Sequence, residues 1–213
     1  MTRKISFHSI QLSVSVELIY RIAQLYFPTM GRKYIFYDSS NLYFVSFATV
    51  NWIDVFTRRL YNDILVDSLK YCIEHKGLNL YAWCIMTNHV HLIINSDTET
   101  LSDILRDFKR HTSKSILEAI ENNIQESRKE WMLFHFERAG TRNSRNEKYQ
   151  FWQQNNQPIL LDTKEKCYQR LAYLHNNPVV AGFVEKPEDY LYSSAKNYVN
   201  LSGLIDVILI EVI

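Results

Sequence analysis

Residues 81–95 constrain the chain most. They read Tyr81-Ala82-Trp83-Cys84-Ile85-Met86-Thr87-Asn88-His89-Val90-His91-Leu92-Ile93-Ile94-Asn95, two apolar runs parted by a short polar break. Each run has the length and composition of a strand, and Thr87-Asn88 suits a tight connection, so the stretch predicts a β-hairpin. His89 and His91 lie two apart at the start of the second strand. Residues i and i+2 of a strand face the same way, so the two imidazoles stand side by side while Val90 points to the other face. That is a pair of metal ligands awaiting a third. It is also the pattern of two half-exposed surface histidines, which is the commoner case, and spacing alone leaves both readings open.

The hairpin sits inside an alternating order of elements. Asn41 to Val50 reads as a strand, with Leu42, Phe44, Ser46 and Ala48 on one face and Tyr43, Val45, Phe47 and Thr49 on the other. Both faces are mostly apolar, which suits a central strand. Thr57 is placed to cap a helix whose apolar residues Leu60, Tyr61, Ile64, Leu65, Leu69, Cys72 and Ile73 recur at helical spacing, with Gly77 as its stop. Thr100 and Asp103 resemble a capping box for a second helix with an apolar stripe from Leu101 to Ile120. Its outer face carries Arg106, Lys109, Arg110 and Lys114. Residues 122–148 are polar and ambiguous. Trp131 to Phe136 reads as a short segment, helical or extended, and Gly140 to Lys148 as a basic loop with Arg142 and Arg145. A further strand falls near Tyr149 to Leu161. Asp162 with Glu165 then starts a helix that should end at Asn177, because Pro178 forbids its continuation. The first six elements match the ferredoxin-like βαββαβ arrangement, an α+β fold with an antiparallel sheet, followed by a C-terminal helix.

Composition narrows the class. A chain of 213 residues, 46% hydrophobic and poor in glycine and proline, supports one ordinary packed domain without linkers. The formal net charge of +1 neither requires nor excludes nucleic acid, which needs a local basic face. Cys72, Cys84 and Cys167 are odd in number and widely spaced, which fits a reduced cytoplasmic protein. No apolar run reaches the roughly 20 residues that span a bilayer, so no membrane role is expected. Residues 1–29 fit poorly with the remainder of the chain. They read as an N-terminal extension, with Met30 an alternative start and residues 30–213 the functional domain.

The run Ala82 to Leu92 resembles the signature of the Y1 or HUH tyrosine transposases, and most of all the REP-associated branch near the IS200/IS605 group. Phe151-Trp152-Gln153-Gln154, Tyr173-Leu174-His175-Asn176-Asn177-Pro178-Val179-Val180-Ala181-Gly182-Phe183-Val184 and Tyr190-Leu191-Tyr192-Ser193-Ser194-Ala195 fit the same family in the same order. The resemblance implies the ferredoxin-like palm, with a nucleophilic tyrosine on the helix after it. It implies an enzyme that cuts and rejoins single-stranded DNA at a hairpin or repeat through a 5′-phosphotyrosine.

Tyr173 and Asn177 are four apart and share a helical face, matching the family's nucleophile and the polar ligand one turn beyond it. The resemblance therefore assigns Tyr173 as nucleophile and His89, His91 and Asn177 as metal ligands. Two imidazoles and an amide oxygen, with no thiolate, suit Mg²⁺ or Mn²⁺. A free phenol, of pKa about 10, is mostly protonated near neutral pH, and a divalent ion offsets this at the scissile phosphate. On composition alone any one of 14 tyrosines is more readily a packing residue. Tyr168 is the rival on the same helix.

Arg106, Lys109, Arg110 and Lys114, with Arg142 and Arg145, are the expected DNA contacts. Trp152 reads equally as a core tryptophan, and His111 and His175 as surface or groove residues and not ligands. Gln154-Asn155-Asn156 departs from the basic or aromatic residue that the family often has there. A domesticated binder of structured DNA or RNA, and a metal-dependent nuclease that uses water, are the alternative activities. Family relatives include monomers and dimers, which leaves a homodimer open.

Overall fold

The computed structural model describes residues 36–142, 148–154 and 158–210. Residues 1–29, Arg145 and the pair Asn155-Asn156 lie outside them. Four strands form one antiparallel sheet: β1 (Tyr43–Ala48), β2 (Leu78–Ile85), β3 (His89–Ser96) and β4 (Ile159–Leu160), in the order β2-β3-β1-β4. The helices are α1 (Arg59–Lys76), α2 (Leu101–Asn122), α3 (Lys129–Thr141) and α4 (Lys164–Val180). The expected βαββαβ order is present, with α3 inserted between α2 and β4.

Alternation along β1 divides the interior into two cores. Tyr43, Val45 and Phe47 join Val90, Leu92 and Ile94 of β3 under α1 and α2. Phe44 and Ile93 face the other way and meet Leu171 and Leu174 of α4. Each of those leucines, once buried, contributes roughly 1.5–3 kcal/mol to holding α4 on the sheet. The outer edge of β2 is also covered. The Ile85 N–H donates to the Tyr192 carbonyl, the Ser194 N–H to Trp83 and the Ile208 N–H to Leu80, so the C-terminal segment occupies groups that would otherwise invite another strand.

Three local expectations are corrected, and one reading left open is resolved. Thr57 does not cap α1: the cap position is Arg58, which makes no side-chain cap, and the Thr57 hydroxyl instead accepts from Arg128. The ambiguous 131–136 segment is helical, because Met132, Phe136 and Gly140 form a one-sided buried stripe. Helix α4 continues past Asn177 to Val180 with Pro178 inside it. Proline removes the bond its own N–H would make and crowds the carbonyl four residues back, and the last turn of α4 accommodates both. Helix α4 also starts one residue later than Asp162 with Glu165 implies, because its cap is Thr163, whose hydroxyl accepts from the Lys166 N–H. Two other sequence signals hold. Thr100 caps α2 by accepting from the Asp103 N–H, and Gly77 ends α1 with φ at 67°. That left-handed value is one that glycine adopts without a Cβ clash.

A buried ion pair joins α1 to the start of α3. The Glu126 carboxylate accepts from Arg58, from the Arg128 backbone N–H and from the Tyr61 hydroxyl. Burial pushes this carboxyl up, but the bonds from Arg58 and the Arg128 N–H outweigh it and hold the group below its ordinary value. Because the folded pKa is depressed, the stabilisation is present above the unfolded value and is lost as pH falls through the folded one. Glu126→Gln is therefore expected to cost about 2 kcal/mol at pH 7. In urea titrations across pH, the gap to wild type should narrow below about pH 4.5, the ordinary carboxyl value.

Candidate active site

The two histidines stand on the α4 face of β3. In register with them are Ser46 and Ala48 on β1 and Cys84 on β2, where Ala48 opposes His89 and Ser46 and Cys84 oppose His91. These in-register neighbours are small, and the two imidazole ring centroids lie 4.7 Å apart. His91 is buried and stacks on Phe44 at 5.4 Å. Among the described residues neither of its ring nitrogens has a hydrogen-bond partner.

His89 is oriented from the hairpin turn. The Asp54 carboxylate accepts from the Thr87 hydroxyl at 2.6 Å and from the Asn88 amide nitrogen at 2.9 Å. Asp54 can only accept, so the Asn88 amide nitrogen must face it and the amide oxygen must face His89. That oxygen lies 2.7 Å from His89 Nδ1, which must then be the protonated nitrogen. Nε2 is left with its lone pair, the form a metal ligand needs. Burial pushes His89 down to about 4, against a smaller upward pull from Asp54. Burial, then His89 and Arg170, hold His91 well below its ordinary value. Both imidazoles are thus neutral and basic-lone-pair donors at pH 7.

Tyr173 comes to the same place from α4. Its ring lies edge-on to His91 at 5.4 Å and to Phe44 at 6.1 Å, and it keeps 39% of its surface exposed. Asn177 follows one turn later, its amide nitrogen donating to the Tyr173 carbonyl at 3.1 Å. Among the described residues no three His, Cys, Asp or Glu side chains cluster as a metal site. The orphaned nitrogens of His91 and the tautomer of His89 fit a divalent cation.

The predicted basic residues divide. Helix α2 packs on the opposite face of the sheet from the histidines, since its stripe joins the Val90 and Leu92 core. Arg106 pairs there with Asp103 and Asp107, and Arg110 with Asp107 at 3.0 Å. Lys114 is exposed on the same helix. Lys109 is half-buried, reaches the Gln153 carbonyl at 3.1 Å and lies over the Phe47 ring, and burial pushes it down to about 8. None of these is brought to the histidines. Arg142 is exposed at the end of α3.

Trp152 is a core residue against Phe47 and Phe56. His111 is exposed as expected. His175 is buried and not a surface residue: its Nε2 meets the Ser194 hydroxyl at 2.8 Å and ties α4 to the C-terminal segment. Two site residues escaped the sequence reading. Asp54 is 34 positions from Asn88, and no spacing rule links them. Arg170 has a signal: it precedes Tyr173 by three, on the same helical face. Its guanidinium lies 5.3 Å from the Phe44 centroid and 5.9 Å from that of Tyr173.

Residues 40–154, just over half of the chain, match the family model described as transposase, IS200 like. The chain belongs to that family. A search of curated proteins gives no match. The fold is similar to a solved REP-associated tyrosine transposase bound to a REP hairpin, with a TM-score of 0.52 at 15% identity, covering 85% of this chain and 93% of that one. A second similar structure, a candidate transposase from Deinococcus radiodurans R1, has a TM-score of 0.40 at 18% identity and covers 70% of this chain and 97% of that one. The first of these shows the shared α+β fold, and the family match spans the hairpin that carries both histidines.

The unpaired nitrogens of His91 lead to a stability prediction. A histidine kept for packing would lose stability on replacement. Here His91→Leu is expected to raise stability by about 1 kcal/mol in chelator, because it removes a buried polar group without partners. Urea unfolding measures this directly.

Proposed function

We propose that the protein cuts and rejoins single-stranded DNA beside a hairpin or repeat, with Tyr173 as nucleophile. The observation that carries this reading is the edge-on approach of Tyr173 to His91, in a chain of a transposase family. The half-exposed tyrosine attacks a phosphodiester. A bond forms between its phenolic oxygen and phosphorus, and the bond to the 3′ oxygen breaks. The products are a 5′-phosphotyrosine and a free 3′-hydroxyl, and attack by a 3′-hydroxyl on the adduct reverses the step and joins the strands.

His89, His91 and Asn177 are the residues that would hold Mg²⁺ or Mn²⁺. Such an ion, when bound, polarises the scissile phosphate and offsets charge in the transition state. Asn88 and Asp54 keep the Nε2 lone pair of His89 presented. Phe44 and Leu174 exclude water from beneath Tyr173. The Arg170 guanidinium offers fixed donors to the non-bridging oxygens of the phosphate that Tyr173 attacks. DNA contact is assigned to Arg170 and Arg142 ahead of Arg106 and Arg110, which already face carboxylates behind the sheet. Lys114 and Arg145 remain secondary contacts in this reading, and a stem that wraps the sheet edge is needed to reach Lys114.

The test is a hairpin oligonucleotide labelled at its 3′ end, mixed with protein and Mn²⁺ and run on a denaturing protein gel. Wild type and Tyr168→Phe should carry the label, and Tyr173→Phe should not. Arg170→Ala should slow adduct formation by roughly 100-fold, the usual cost of one lost charge-stabilising donor. An adduct with Tyr173→Phe would move the nucleophile to another tyrosine. Cutting without any adduct would make the protein a nuclease that uses water, and binding without cutting would make it a DNA-binding module.

A further inference from the structure

Helix α3 has an unusual outer face. Its buried stripe is Met132, Phe136 and Gly140, yet the opposite face also carries rings. Trp131 is 50% exposed and Phe134 57%, and both pack edge-on to His135. Trp131, His135, Arg138 and Arg142 follow at i, i+4, i+7 and i+11, a continuous line along one side of the helix. Single exposed apolar residues are ordinary, but a row of rings ending in two arginines is not what a solvated helix face requires.

Across from this line stands Trp52, 51% exposed, in the short 3₁₀ turn Val50–Trp52. Asn51 and Trp52 both have φ of 55°, a left-handed value that costs a side-chain-bearing residue of order 1 kcal/mol or more. The strain is held by surrounding bonds. The Trp52 N–H donates to the Thr49 carbonyl at 3.1 Å, and the Trp52 carbonyl accepts from the Asn88 amide at 3.3 Å. The consequence is a tryptophan kept out of the core, its ring edge-on to His89 at 5.7 Å.

Between Trp52 and α3 lies a hollow of about 420 Å³ lined by Trp52, Asp54, Trp131 and His135 among others. A second hollow of about 470 Å³ continues it past Asn51 and His135 to Arg138 and Arg142 and, among the described residues, has no acidic side chain in its lining. Asp54, the acid of the first hollow, is engaged by Thr87 and Asn88. The groove therefore starts beside His89, is walled by indoles at that end, and runs on to Arg138 and Arg142.

We propose that this groove binds unpaired nucleotides of the DNA strand on one side of the cut, with bases stacked on Trp52 and Trp131 and phosphates held by Arg138 and Arg142. The proposal rests on the single-strand DNA chemistry assigned to Tyr173. Aromatic faces accept any base, and arginines along one wall track the backbone, which is the general design of single-strand grooves. From Trp131 to Arg142 the helix rises about 16 Å, enough for a few nucleotides. The strained turn serves to hold Trp52 as a fixed platform at the histidine end.

The test uses full-length protein in chelator and a fluorescein-labelled dT20 strand, with affinity read by anisotropy at several salt concentrations. Trp131→Ala and Trp52→Ala should each weaken binding roughly tenfold, the ordinary loss of one stacked base. Arg138→Gln and Arg142→Gln should each lower the salt slope by about 0.7. Tyr71→Ala, which removes an exposed ring on α1, should change neither. Trp131→Phe should recover most of the affinity. Equal affinity and slope in the four groove variants would overturn the proposal. So would conversion of a dimer to a monomer by Trp131→Ala with DNA binding intact, because the groove would then be a subunit interface. Groove losses without any covalent adduct from wild type would sink the transposition chemistry and leave the groove standing. An adduct with unaffected groove variants would do the reverse.

Discussion

The pairing register of β3 between β2 and β1 is the constraint on which the site depends. It places His91 between Ser46 and Cys84, and His89 against Ala48, on the face that α4 covers. Side chains alternate along a strand, so a slip of one residue would turn both imidazoles into the apolar core under α1 and α2. The slip is opposed by Val90, Leu92 and Ile94, which are fully buried there, and by the two-residue Thr87-Asn88 turn. Core packing on one side of the sheet thus positions chemistry on the other.

The loop from Thr49 to Thr57 links the turn, the histidines and α3. Asp54 holds Thr87 and Asn88 through its side chain, while its carbonyl accepts from Arg128 at the start of α3. The Thr49 hydroxyl donates to the Ile53 carbonyl and lies close to that of Asn88. A single short segment therefore sets the tautomer of His89, the strained presentation of Trp52 and the docking of α3. Its conformation is over-determined by hydrogen bonds, which is how positive φ at two successive residues persists.

The site is also where the protein gives up stability. His91 is enclosed with both nitrogens unpaired, and burial acts against its charged form. Two neighbouring imidazoles and a guanidinium converge on a face that an ordinary core would fill with aliphatic side chains. The second core around Phe44, Ile93, Leu171 and Leu174 compensates by fixing α4 beside them. Rigid packing around buried, unsatisfied polar atoms is the arrangement expected where function outweighs local stability.

Residue order was enough for the hairpin, the place of β1, the capped start of α2, the βαββαβ succession and the shared faces of His89 with His91 and of Tyr173 with Asn177. All of these follow from periods of 2 and 3.6 and from caps within a few residues, which are local properties of the chain. The meeting of Tyr173 with His91 was suggested by family resemblance and became a distance only when α4 packed on Phe44. What only the tertiary structure decided was the side of the sheet each element takes. Arg106, Arg110 and Lys114 looked free on an outer helix face, yet that helix lies behind the histidines, and Asp107 meets both arginines. His175 looked exposed and is buried against Ser194. Asn88 meets Asp54 and Trp52 across gaps of more than 30 positions. Such contacts depend on which faces pack together, and side-chain periodicity names the faces of an element without naming their partners.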